Sequence, residues 1–191
     1  MQASEVKRIR KIRVEDLEEI SRIIMEVFPE DCNIIIRYVK YIYAIVRDHS
    51  YIVEINNNIA GFCINSVEYG RGHIMYLAVK SNYRRRGVGK ALLCVSLIHF
   101  FYELDLSEVF LEVQTENVPA IRLYESLGFR IVRRIPRYYI DGSDCYVMVV
   151  DKGTFRNFCE SMCISLLDDY DLHEVGSLFS KSSRHDYYLS N

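Results

Sequence analysis

Residues 76–93 read YLAVKSNYRRRGVGKALL, with three arginines and two glycines between a β-branched, aromatic run and an apolar one. Gly87 and Gly89 let the backbone approach a ligand closely, because no Cβ stands in the way. A helix that starts here presents unpaired N–H groups and the positive end of its dipole, and both favour an anion. Arg84, Arg85 and Arg86 add charge-assisted donors to the same loop. Strand, basic glycine loop and helix start together make a cradle for a phosphate or pyrophosphate. A GxxxxGK[ST] loop does not fit, since Lys90 is followed by Ala91. A GxGxxG fingerprint does not fit either, since Leu92 stands where the third glycine belongs. A nucleic-acid patch at residues 84–86 has no nearby support apart from Tyr83.

The spacing Arg84-x-x-Gly87-x-Gly89 does resemble the acetyl-CoA pyrophosphate loop of the GNAT superfamily of acetyltransferases. Residues 111–132, LEVQTENVPAIRLYESLGFRIV, resemble the second signature of those enzymes: a strand, an Asn just past its end, then a helix carrying a Tyr. The spacing of Glu112, Asn117 and Tyr124 and the ending LYESLGF are similar to the ribosomal-protein alanine acetyltransferases (RimI-like). Residues 136–149, PRYYIDGSDCYVMV, resemble the catalytic subunit of the NatA complex and its archaeal relatives, where a YY-x-DG-x-D segment lies over the peptide N-terminus. The resemblance spans residues 7–150. It implies acetyl-CoA as cosubstrate, no metal, and direct transfer of acetyl to the N-terminal α-amine of a protein or peptide.

That chemistry needs a neutral amine, a polarised thioester carbonyl and a proton for the leaving thiolate. At pH 7 an α-amine is roughly 10–15% neutral and a lysine only about 0.04%, so an α-amine can manage with a mild base. The resemblance makes Glu112 the first candidate base. His73 is the second, at a position where archaeal NatA-like enzymes also carry His. Glu30 is the third; FPEDC matches an archaeal LPENY segment that lines the peptide entry, with Cys32 in place of the family's Tyr. Tyr124 is the expected general acid, although a phenol of pKa ~10 gives its proton uphill to a thiolate of pKa ~8.5, so hydrogen bonding alone is the other reading. Backbone groups of Leu77, Ala78 and Val79 are expected to pair with the pantetheine, one N–H polarising the thioester carbonyl. The loop and helix start supply Arg84, Arg85, Arg86, Gly87, Val88, Gly89 and Lys90 to the pyrophosphate, and Asn117 holds the pantetheine or the acetyl group. Phe28, Glu30, Tyr138 and Tyr139 are the expected substrate-binding residues. Each has a purely structural alternative: a solvated Glu on a strand or after a helix, a solvated His at a strand start, a Tyr packing its own helix or a neighbouring strand.

The elements that must position these groups follow from hydrophobic spacing. Residues 15–27 carry apolar side chains at helical intervals, stopped by Pro29. A second helix is expected over 34–46, strands over 51–55 and 59–67 around an Asn turn, and a strand over 73–79. Residues 91–101 are apolar on nearly every face, which predicts a buried helix. A strand over 109–114, a short helix over 119–127 and strands over 129–135 and 145–150 complete the order β-α-α-β-β-β-α-β-α-β-β. The expected fold is an α/β (α+β) GNAT fold, a mixed sheet of about seven strands flanked by about four helices. Residues 1–152 form the catalytic domain. Residues 153–191 are an extension, helical over 154–167, whose last dozen residues are expected to be mobile.

Bulk properties narrow the alternatives. The 191 residues are 50% apolar, enough for one domain with a sizeable core. A net charge of -2 with 26% charged residues argues against a dedicated nucleic-acid binder. No apolar stretch approaches a membrane span and the charged N-terminal stretch lacks a secretory signal, so a cytoplasmic protein is expected, with a partner subunit or homo-oligomer left open. The six cysteines show no metal-ligand spacing; Cys63, Cys94 and Cys145 are expected to be reduced core thiols. The competing functions are a lysine or small-molecule amine acetyltransferase on the same scaffold, or a CoA-binding module without catalysis.

Overall fold

The computed structural model describes residues 5–175. In chain order the elements are β1 (Lys7–Lys11), α1 (Leu17–Val27), α2 (Cys32–Val46), β2 (Tyr51–Ile55), β3 (Asn58–Glu68), β4 (Arg71–Val79), α3 (Val88–Ile98), β5 (Glu108–Gln114), α4 (Val118–Glu125), β6 (Arg130–Ile135), β7 (Cys145–Asp151), α5 (Lys152–Phe158) and α6 (Glu160–Leu167). The seven strands form one sheet in the order β1-β2-β3-β4-β5-β7-β6. Only β4 and β5 run parallel, and α3 makes the crossover that a parallel pair requires. Asn56 and Asn57 (φ 50° and 63°) turn β2 into β3, and Tyr69 and Gly70 (φ 52° and 73°) turn β3 into β4.

The sheet is covered on both faces. Ile20, Ile23 and Ile24 of α1 and Ile35, Val39, Ile42 and Val46 of α2 pack on one face against Ile52, Phe62 and Ile64. On the other, α3 is buried on every side, beneath the sheet and under α6. It starts at Val88, three residues before the expected 91, and after Ile98 passes into a π turn over His99–Glu103.

Residues 153–175, past the expected boundary at residue 152, pack back onto this core. Residues 154–167, expected as one helix, form α5 and α6, broken at Cys159. Phe155, Cys159, Cys163, Leu167, Tyr170 and Val175 join the same cluster as Leu92 and Val95. Asp171 exchanges backbone hydrogen bonds with Lys7 and Ile9, which covers the outer edge of β1. Cys63 and Cys145 are buried free thiols as expected, but Cys94 is not: it forms a disulfide with Cys163. Helix packing brings the two Cα atoms to 5.2 Å across 69 residues, a proximity that cysteine spacing does not encode. The last dozen residues lie outside the described ones. No described helix is long and apolar enough to cross a membrane.

Candidate active site

The parallel β4–β5 ladder joins only Gly72, His73 and Ile74 to Val109, Phe110 and Leu111. Beyond it β4 runs on through Leu77, Ala78 and Val79, paired with β3 on one side and with no strand on the β5 side. A register shift at Ile64/Asn65, which leaves Met75 as an extra residue of β4, lies between the two parts. The unpaired backbone leads to the basic loop. There Arg84 Nε donates to the Val79 carbonyl at 3.1 Å, Arg85 takes a left-handed φ of 63°, and Gly87 takes 82°. Gly87 precedes α3 without any side-chain cap, so the N–H groups of Val88, Gly89 and Lys90 face the loop free for an anion. A Cβ on Gly89 would sit 3.4 Å from Leu123, so this turn lies close against α4. Arg86 pairs with Glu5 and lies over the Tyr83 ring, while Arg84 and Arg85 are exposed. An uncapped helix start beside an unpaired strand edge fits a diphosphate with an extended amide arm.

Three strands contribute the second part. On β5 the residues Val109, Leu111 and Val113 face the core, so Phe110, Glu112 and Gln114 occupy the opposite face. His73 Nε2 lies 2.8 Å from Glu112 Oε2, and His73 Nδ1 lies 2.9 Å from Glu68 Oε1 on β3. The imidazole stacks on Phe110 with centroids 4.3 Å apart, and the Ser66 hydroxyl donates to Glu68 Oε1 at 2.9 Å. Burial works against a charged His73, but the hydrogen bonds to Glu112 and Glu68 outweigh it and its pKa is raised. Burial likewise acts to raise Glu68, yet His73 and Ser66 prevail and hold it below the usual carboxylate range.

Aromatic side chains close in around this group. Tyr138 and Tyr139 meet edge to face at 5.1 Å, and both backbone N–H groups donate to the Ser143 carbonyl. The Gln114 amide donates to Asp141 and Ser143, and Asp144 accepts from Arg134 and from the Arg137 N–H, so the β6–β7 loop is pinned beside β5. Burial raises the Tyr139 phenol, and Cys145, Tyr138, Glu112 and Tyr124 add to the effect. Tyr124 itself is buried, packs edge to face on Phe129 at 5.9 Å, and is raised by burial. Phe28 closes α1 edge to face with Tyr76 at 6.4 Å.

A sequence profile of the acetyltransferase (GNAT) family matches residues 16–129. The chain belongs to the GNAT acetyltransferase family. An N-alpha-acetyltransferase of Sulfurisphaera tokodaii is 32% identical over 160 residues, covering 74% of this chain and 90% of that one. The solved structure of the Ard1 protein of Thermoplasma volcanium matches with a TM-score of 0.68 at 29% identity, over 76% of this chain and 97% of that one. A ribosomal-protein alanine N-acetyltransferase of Escherichia coli matches with a TM-score of 0.65 at 26% identity, over 76% and 94%. This GNAT protein is an acetyl-CoA-dependent N-acetyltransferase.

Two expected site residues of the GNAT chain take no part in the Glu68–His73–Glu112 hydrogen bonds. Glu30 is exposed in the turn between α1 and α2. Asn117 caps α4: its side-chain oxygen accepts from the Ala120 N–H at 3.3 Å, which leaves its amide nitrogen for a ligand. Residue-type reasoning passed over Glu68, Tyr76 and Gln114. For Glu68 a signal existed, since a two-residue turn at Tyr69-Gly70 pairs Glu68 with Arg71 and Ser66 with His73.

Proposed function

We propose that this enzyme acetylates the α-amine of protein or peptide N-termini. The observation that carries the reading is the pinned Tyr138–Tyr139 loop beside the hydrogen-bonded Glu112–His73 pair. A closed aromatic lip suits the end of a chain, and a mild carboxylate–imidazole base suits an amine that is partly neutral at pH 7. The names of the archaeal and bacterial relatives support the same acceptor class.

Acetyl-CoA, when bound, supplies the acetyl thioester and the thiol leaving group. Val88, Gly89 and Lys90 offer backbone N–H groups to the diphosphate, with Arg84 and Arg85 adding charge and Arg86 held further back by Glu5. Leu77, Ala78 and Val79 offer their unpaired backbone edge to the amide arm, and one N–H on that edge polarises the carbonyl. Asn117 adds its amide nitrogen. Glu112, backed by His73, takes the proton from the attacking amine. Tyr124 keeps its own proton at neutral pH and donates a hydrogen bond toward the departing sulfur. Phe28 and Tyr139 wall the first side chain, Tyr138 holds the peptide backbone, and Glu30 stands at the mouth.

Peptides with free N-termini and N-blocked peptides containing lysine, each incubated with acetyl-CoA, test the acceptor class. The expected product is α-N-acetyl peptide located by mass spectrometry, with Glu112→Gln reducing turnover about a hundredfold. Acetylation confined to lysine would overturn it.

A further inference from the structure

Glu68 has no role in the reading above, yet it is hydrogen-bonded to the imidazole of the base. Its Oε1 accepts from His73 Nδ1 at 2.9 Å and from the Ser66 hydroxyl at 2.9 Å. The opposite ring nitrogen lies 2.8 Å from Glu112. The three side chains lie along one face of β3, β4 and β5, bridging the strands in sequence. Side-chain exposure is 14% for His73, 22% for Glu112 and 37% for Glu68, so the imidazole is the enclosed member and Glu68 the outermost.

We propose that Glu68 is a positioning residue of the acetyl transfer, fixing the tautomer and ring plane of His73 so that Nε2 always faces Glu112. A carboxylate only accepts, so while Glu68 is ionised Nδ1 must carry a hydrogen. That leaves Nε2 to share the remaining proton with Glu112, and the Glu112–His73 pair takes up substrate protons as one unit. Phe110 stacks on the imidazole and blocks rotation out of this plane, and Arg71 lies over the same Phe110 ring at 4.5 Å. Ser66 in turn holds Glu68. Arrangements in which a second carboxylate orients a working imidazole are a general device for setting its basicity.

The charge of Glu68 also adds to the proton affinity of the pair. The groups that face His73 are Glu68 from β3, Glu112 from β5 and, across the two carboxylates, Tyr138 from the β6–β7 loop; Arg71 is separated from it by Phe110 and paired with Glu108. Removing one of two carboxylates lowers the pH at which the pair gives up its proton.

The role rests on the reading of Glu112 and His73 as the base, and the test separates the two. kcat and KM would be measured from pH 5 to 9 for the parent enzyme, Glu68→Gln, Glu68→Ala and Glu112→Gln, with thermal midpoints to establish folding. Glu68→Ala is expected to lower kcat about tenfold, to leave KM for acetyl-CoA within about twofold, and to shift the acid limb of kcat down by about one pH unit. Glu68→Gln still accepts from Nδ1, so it recovers most of kcat while keeping the shifted limb. Parental kcat and an unshifted limb in Glu68→Ala, beside a large loss in Glu112→Gln, overturn the role of Glu68 and leave the base intact. Equal losses in both Glu68 variants with an unshifted limb also overturn it, since that pattern marks mere packing. Parental turnover in Glu112→Gln instead overturns the base itself.

Discussion

Tyr124 sits where its phenol is raised by burial, so it keeps its proton throughout the neutral range. Tyr124→Phe removes the donor and keeps the ring against Phe129. The expected outcome is a fall in kcat of about 10- to 100-fold with the thermal midpoint nearly unchanged, read by CoA release and by circular dichroism. A second buried group affects stability. His99 is 2% exposed, and burial lowers its pKa to about 4, with Glu103 opposing the shift and His49, 2.9 Å away, adding to it. The unfolded chain protonates this histidine near 6.5, whereas the folded chain resists until about 4. Acid therefore favours unfolding, and stability is lost as the pH falls from about 6.5 to about 4, by up to roughly 3 kcal/mol. A thermal midpoint that fails to drop across that window, or that drops equally in His99→Gln, would contradict this.

At the scale of elements, the sheet works because one parallel ladder is cut short. Residue content made β4 and β5 legible as strands, but not that their ladder ends at Ile74 and Leu111. The glycine loop was legible ahead of α3, but the helix starts at Val88 rather than 91, directly after Gly87 takes its left-handed φ. Gly87→Ala meets no side chain closer than Leu166 at 3.8 Å, so its cost is conformational, about 1 kcal/mol. It falls on the loop that aims the first-turn N–H groups. KM for acetyl-CoA is expected to rise several-fold with kcat at saturation within about twofold; an unchanged KM would exclude this loop from cofactor binding. The YY-x-DG-x-D pattern marked the β6–β7 loop, but its fastening by Gln114, Ser143 and Asp144 depends on side chains meeting across strands.

At the scale of the whole molecule, residues 153–175 are part of the core that supports α3. α6 packs on α3, and the Cys94–Cys163 disulfide joins the two helices. By loop-closure entropy such a crosslink stabilises by about 4 kcal/mol. Cys163→Ser, or reduction with dithiothreitol, is expected to lower the thermal midpoint by several degrees; identical midpoints with and without reductant would show that the bond contributes nothing. The sequence by itself determined the element order and marked the basic glycine loop, because periodicity and glycine placement are local properties; Glu112, Tyr124 and the tyrosine pair became candidates through the resemblance to the family. The sequence also put His73 on its strand, which begins two residues earlier at Arg71. Only the tertiary structure decided that His73 bridges Glu68 and Glu112, that Cys94 finds Cys163, and that residues 153–175 pack into the core. Those depend on strand register and helix packing between distant segments, and no local pattern records which side chains such packing brings together.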